Sequence, residues 1–163
     1  KKLLEQNVEE IESLLNGLDG GYILPGLGGD LLRDGRGVLP TGRNIHSLDP
    51  YRIPSPGAWE RGQIAAEKIL SQTFKSSGKY PETIAVTLWG LDSIKTRGES
   101  VAIILALICA RPIRESTGRI VKYDLCPTED LVRPRIDVLG SMSGIFRDSF
   151  ANVLDLLDDV FRD

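Results

Sequence analysis

The segment Leu39–Pro50, LPTGRNIHSLDP, concentrates the groups in this chain that could do chemistry. It holds the sole histidine, His46, with the carboxylate Asp49 three residues on and the guanidinium of Arg43 and the amide of Asn44 just before. An imidazole that titrates near pH ~6.5 suits proton transfer around neutrality. A carboxylate suits a hard divalent cation or can orient an imidazole. Gly42 frees the backbone ahead of Arg43, while Pro40 and Pro50 stiffen the two ends, so a restrained site loop is expected. His46 is therefore the candidate catalytic base. Asp49 is the candidate metal ligand, or the group that orients His46. Each has a structural alternative: a loop histidine bonded to a backbone carbonyl, and an aspartate that caps a turn before proline.

The elements that must position this loop can be read in order. From Lys1 to Asn16, Leu3, Leu4, Val8, Ile11, Leu14 and Leu15 recur at spacings of three and four, which predicts an amphipathic helix ended by Gly17. Residues 17–56 are rich in Gly and Pro with no sustained period, and predict a long ordered loop into which Tyr22, Ile23, Leu24, Leu31 and Leu32 pack. Gly26–Gly29 is a poor phosphate cradle, since neither a preceding strand nor a GK[ST] follows the pattern.

Ser55 and Pro56 predict the cap and first residue of a helix running to about Phe74, with Trp59 read as a core residue and, as the alternative, as lining a pocket for a flat aromatic ligand. Thr83–Trp89 reads as a buried strand, GLDSIKTRG as a turn, and Glu99–Cys109 as a helix. Arg111–Glu115 and Arg119–Leu125 read as strands joined around Ser116–Gly118. Arg135–Leu139 reads as a further buried strand, and Phe146–Phe161 as a closing helix with Asp148 at its positive end. The fold class expected is α/β, with parallel-sheet β-α-β units preceded by a helix and a long Gly/Pro-rich loop. One domain covers 1–163: helix 1–16, motif loop 17–56, and α/β core 57–163. In open sheets of this kind ligands gather beyond the carboxyl ends of the strands, here the loops Gly90–Glu99 and Gly140–Asp148.

A chain of 163 residues that is 41% hydrophobic and 26% charged can fill a core and is neither fibrous nor disordered in composition. Its net charge of −3 lacks the basic excess that grips nucleic acid, so no nucleic-acid partner is expected. Cys109 and Cys126 have no CxxC spacing and are expected to be buried free thiols. No apolar run approaches the ~20 residues of a membrane-spanning helix, and Lys1–Leu15 lacks a signal peptide's apolar region, so a soluble chain is expected.

The motif loop resembles the large, porphyrin-binding subunits of magnesium chelatase and their cobaltochelatase relatives, whose pattern PTG[RK]NIHALDP is matched from Pro40 to Pro50 except at Ser47. GKYPETIAVTLWG at Gly78–Gly90, IKTRGES at Ile94–Ser100, RPRID at Arg133–Asp137 and SGIFRDSF at Ser143–Phe150 are similar to family stretches in the same order. The resemblance implies an internal piece of a much longer subunit, inactive alone. The longer protein would bind protoporphyrin IX, with Mg²⁺ as the ion inserted, while AAA+ ATPase I and D partner subunits use ATP.

Removing two pyrrole protons calls for a base, hence His46, with Asp49 delivering the ion or orienting His46. Arg43, Asn44, Lys95 and Arg147 become porphyrin-binding candidates. The chloroplast stroma or bacterial cytoplasm is the compartment implied. Two other readings stay open, a cobaltochelatase subunit acting on a corrinoid and a non-catalytic tetrapyrrole-binding or scaffold domain.

Overall fold

A computed structural model describes residues 2–27, 39–42, 44–45 and 48–162, with the backbone alone at 27, 44 and 45. Two compact units emerge, Lys1–Leu48 and Asp49–Asp163.

The first unit opens with α1 (Lys2–Glu5), a 3-10 turn at Gln6–Val8 and α2 (Glu9–Leu18). The predicted helix is thus broken once, and it continues through Gly17 to end at Asp19, whose N–H donates to Leu15 O. Its apolar stripe lies open: Val8, Ile11, Leu14, Leu15 and Leu18 are all exposed. Tyr22 and Leu24, expected to pack, are exposed too. Leu31 and Leu32 lie outside the described residues. Two short strands, β1 (Gly26–Leu27) and β2 (Asn44–Ile45), pair in parallel with Gly26 opposite Asn44.

The second unit is α/β, as its alternating pattern predicts. Helix α3 (Pro56–Ser77) begins where Ser55 Oγ accepts from Ala58 N at 3.2 Å with Pro56 in the first turn, and ends at the left-handed Gly78. Strand β3 (Thr83–Leu88) follows, then α4 (Gly90–Thr96) and α5 (Glu99–Leu107). The stretch expected to be a turn is therefore α4, ended by the left-handed Arg97 and Gly98. Its glycine and β-branched content hid a helix whose first N–H, that of Gly90, is paired by Ser143 Oγ across the fold.

Strands β4 (Ala110–Arg114) and β5 (Ile120–Leu125) form the expected hairpin. Strand β6 (Asp137–Met142) pairs in parallel with β3, Thr83 opposite Asp137 through Leu88 opposite Met142. It starts two residues later than its apolar pattern suggests because Ile136 N is committed to Leu107 O at 3.1 Å. The closing helix is two, α6 (Gly144–Ser149) and α7 (Ala151–Arg162), hinged at Phe150. Neither β3 nor β6 is enclosed on both faces, contrary to the reading of buried strands. In β3 the exposed Thr83, Ala85 and Thr87 alternate with the better covered Ile84, Val86 and Leu88.

The core is built on α5. Its sequence ESVAIILAL is apolar on every side, and Val101, Ala102, Ile104, Leu105 and Leu107 are buried. One side receives the β3–β6 pair, where Ile84, Val86 and Val138 pack around Leu70, Leu107 and Ile136. The other receives α3 through Ala58, Gly62, Ala66 and Leu70, a row at successive i, i+4 positions. Small side chains there let the two backbones approach closely. A Cβ on Gly62 would lie 2.4 Å from Ala102 Cβ and 2.9 Å from the Ala102 carbonyl carbon. The end of α5 is closed by Arg133, whose guanidinium donates to Ala106 O at 2.6 Å and Leu107 O at 3.1 Å, carbonyls that also accept from Cys109 N and Ile136 N.

Gly62→Ala is expected to lower unfolding free energy by about 1–3 kcal/mol through overpacking. Urea denaturation should read this loss, and adding Ala102→Gly should recover part of it.

Candidate functional site

Two loops meet beyond the carboxyl ends of β3 and β6, and one hydroxyl joins them. Ser143 Oγ accepts from Gly90 N at the start of α4 and from Phe146 N in the first turn of α6, both at 3.2 Å. Ser143 N in turn donates to Leu88 O at 3.0 Å, so β3, β6 and both helix starts are tied at a single residue. The loops also touch. A Cβ on Gly90 would fall 2.4 Å from Ile145 Cγ2 and 3.0 Å from Phe146 N, a separation that only glycine permits.

Around this junction the surface is apolar, with Trp89, Leu91, Met142 and Ile145 exposed by 65%, 62%, 46% and 53%. Lys95 lies in the last turn of α4, exposed, and Arg147 lies on α6, its Nε 2.9 Å from Asp148 Oδ1. The Asp148 carboxylate raises the pKa of Arg147, holding that guanidinium charged. The expected dipole-capping role of Asp148 falls instead to Ser143, since α6 begins four residues earlier than Asp148 lies.

The motif loop is described at its two roots. Upstream, Thr41 N donates to Asn7 Oδ1 at 3.1 Å, and Gly42, at φ 86°, comes so close to α2 that a Cβ would lie 2.7 Å from Glu10 Cα. Asn44 is backbone-paired in β2, and Arg43 and His46 lie outside the described residues.

Downstream, Asp49 is used twice. Its Oδ1 accepts from Tyr51 N at 3.0 Å, capping the 3-10 turn Pro50–Arg52, and its Oδ2 is 3.3 Å from Arg52 Nε. The segment after it is held from several directions. Asn152 Nδ2 donates to Pro50 O at 3.0 Å, Tyr123 Oη donates to Ile53 O at 2.8 Å, and Arg114 donates to Pro54 O. Ser55 N donates to Arg97 O at 3.0 Å.

Lys95 and Arg147, two residues expected at the site, thus lie on α4 and α6, neighbouring helices that start from the Ser143 junction. Sequence reasoning singled out both loops but missed the exposed apolar surface and the pinning of residues 50–55. Trp89 read as the end of a buried strand because nothing in TIAVTLW distinguishes a ring facing the core from one facing outward. Among the described residues no group of three or more His, Cys, Asp or Glu side chains is arranged to hold a metal ion, and no helix is long and apolar enough to cross a membrane.

A parallel pair flanked by helices, with its loops joined beyond the strand ends, defines an α/β module of the kind that receives ligands there. The chain belongs to the CobN/magnesium chelatase family: the family model described as CobN/Magnesium Chelatase matches residues 1–163. It is 51% identical over 161 residues to the magnesium-chelatase H subunit of Chlorobaculum parvum, a match covering 98% of this chain and 13% of that protein. It is 48% identical over 150 residues to the chloroplastic magnesium-chelatase ChlH subunit of Oryza sativa subsp. indica, covering 91% of this chain and 11% of the relative. The solved catalytic subunit of cobaltochelatase from Mycobacterium tuberculosis superposes with a TM-score of 0.86 at 39% identity, over 94% of this chain and 13% of that one. The chain therefore spans only a small part of the length of the proteins it matches.

Tyr123 supplies a test of the pinned segment. Burial raises its phenol's pKa well above the usual 10.0, so the folded protein keeps it neutral. The stability this contributes is complete below the unfolded value of about 10 and is lost as pH rises above it. Tyr123→Phe is expected to cost about 1–2 kcal/mol at neutral pH, through the orphaned Ile53 carbonyl. It should also flatten the fall in stability above pH ~10, as read by denaturation at several pH values.

Proposed function

We propose that this chain forms part of the porphyrin-binding subunit of a magnesium chelatase, which inserts Mg²⁺ into protoporphyrin IX while AAA+ I and D partner subunits consume ATP. The observation that carries the reading is 51% identity to a magnesium-chelatase H subunit along nearly the whole chain. The same reading gives a chloroplast stroma or bacterial cytoplasm as its compartment. By itself the 163-residue chain should turn over no porphyrin.

Within this reading the apolar surface of Trp89, Leu91, Met142 and Ile145 offers a bed for a flat macrocycle. Lys95 and Arg147, on the helices beside this surface, engage the macrocycle's polar edge and carboxylates, and Arg43 and Asn44 of the motif loop are proposed as further porphyrin-binding residues. His46 accepts pyrrole protons as the ring takes up the ion. Asp49 remains at the site in one of two roles. Its bonds to Tyr51 N and Arg52 favour shaping the loop around His46, and delivery of the ion would require a cation to replace Arg52 at Oδ2.

A cobaltochelatase subunit acting on a corrinoid is the second reading, favoured by the TM-score of 0.86 to a cobaltochelatase catalytic subunit. Imidazole and carboxylate accept either ion, so the ring decides between the readings. A non-catalytic tetrapyrrole-binding scaffold is the remaining alternative.

In the full-length protein assayed with its ATPase partners, His46→Ala is expected to lower metal insertion by about 10²–10⁴-fold. Trp89→Ala is expected to weaken protoporphyrin binding about tenfold, or ~1.4 kcal/mol, in a Soret titration. Unchanged insertion in both His46→Ala and Asp49→Ala would remove the catalytic assignment, and tighter binding of a corrinoid than of protoporphyrin would favour the second reading.

A further inference from the structure

Away from the Ser143 junction, at the end of the β3–β6 pair where both strands begin, a cavity of about 580 Å³ opens beside α3 and the end of α5. Trp59, Ala106, Leu131 and Arg133 line it, together with both cysteines of the chain, Cys109 and Cys126. The two thiols are free and half-buried.

Their placement follows from the hairpin. The β4–β5 ladder pairs Ala110 with Leu125, and one step further along it Cys126 N donates to Cys109 O at 2.8 Å. Cys109 lies just outside the ladder, and this single backbone hydrogen bond holds the two cysteines side by side at the open end of the hairpin; a disulfide then needs their Cβ atoms to come within ~3.5–4.5 Å. Both side chains line the same cavity. A second observation sets the pair apart. Cys109 has φ 57°, in the left-handed region that glycine enters freely and a side chain only with strain. A thiol thus occupies a position whose backbone favours having no side chain, opposite the one other thiol.

We propose that Cys109 and Cys126 form a thiol–disulfide exchange site that accepts a low-molecular-mass disulfide of the glutathione class and closes to an internal Cys109–Cys126 bond. In the first step the Cys126 thiolate attacks one sulfur of the small disulfide, forms a mixed disulfide and expels one thiolate. In the second the Cys109 thiolate attacks Cys126 Sγ and expels the other. The protein pair loses two electrons and two protons, and the small disulfide becomes two thiols. Burial pushes the Cys109 thiol up, against the pull of Arg133 and Arg135, which suits Cys109 to the intramolecular step, where proximity compensates for a smaller thiolate fraction. The site is separate from the chelation reading and stands or falls without it.

The test uses the intact protein equilibrated with reduced and oxidised glutathione in varying ratio, quenched with acid and mapped as non-reduced peptides. The expected product is one peptide pair linked through Cys109 and Cys126, formed in a single two-electron transition. In Cys109→Ser, Cys126 should accumulate the glutathione adduct that the unsubstituted protein resolves. Cys109→Gly, which suits the left-handed backbone, should trap the same adduct and guards against misfolding of the serine variant. Thiols that stay reduced at every ratio, or that are glutathionylated independently with no linked pair, would overturn the proposal, as would an unmodified Cys126 in both variants.

Discussion

A helix that is apolar all round has to be enclosed on all sides, and that requirement on α5 organises the second unit. Water-facing positions are unavailable to Val101, Ala102, Ile104, Leu105 and Leu107, so a sheet closes one side and a helix the other. Close approach on the helical side depends on Gly62 meeting Ala102, and the sheet side depends on the parallel register of β3 with β6. Each neighbour of α5 leads to a feature with chemical meaning. Its start lies near the loops joined by Ser143, and its end leads into Cys109 and the cavity with the two thiols.

Much of this was legible in the residues. Ser55-Pro56 announced the start of α3, the apolar period placed α5, and the two β-branched runs around Ser116–Gly118 gave the hairpin, because each signal is local and acts through backbone preference. What escaped was set by tertiary partners. Helix α4 has little intrinsic signal and is held by Ser143 at its start and by left-handed residues at its end. The break at Phe150 is invisible to a period of 3.6, since Phe146 and Phe150 both remain buried, ring centroids 4.9 Å apart, on either side of it. For β3 and β6, composition could not report that one face would be left open.

The candidate site divides in the same way. The motif loop was found by its residue types, and Lys95 and Arg147 by the family likeness together with the rule that ligands gather beyond strand ends. Asp49 illustrates the limit of spacing: three residues from the histidine it reads as a partner, and in the structure its oxygens are occupied by Tyr51 N and Arg52. The turn-cap alternative that any Asp-Pro invites describes the contacts that Asp49 makes.

The segment Pro50–Ser55 resembles a keystone. A side chain from α7, two from the hairpin and a carbonyl at the end of α4 converge on its backbone within a handful of residues. Loosening any of these supports shifts load to the rest, so changes in the hairpin would be felt in the backbone of residues 50–55. Substitutions in the hairpin or in α7 can therefore disturb the backbone of residues 50–55 without changing any residue of that segment, and a structural probe at Ile53 would register them.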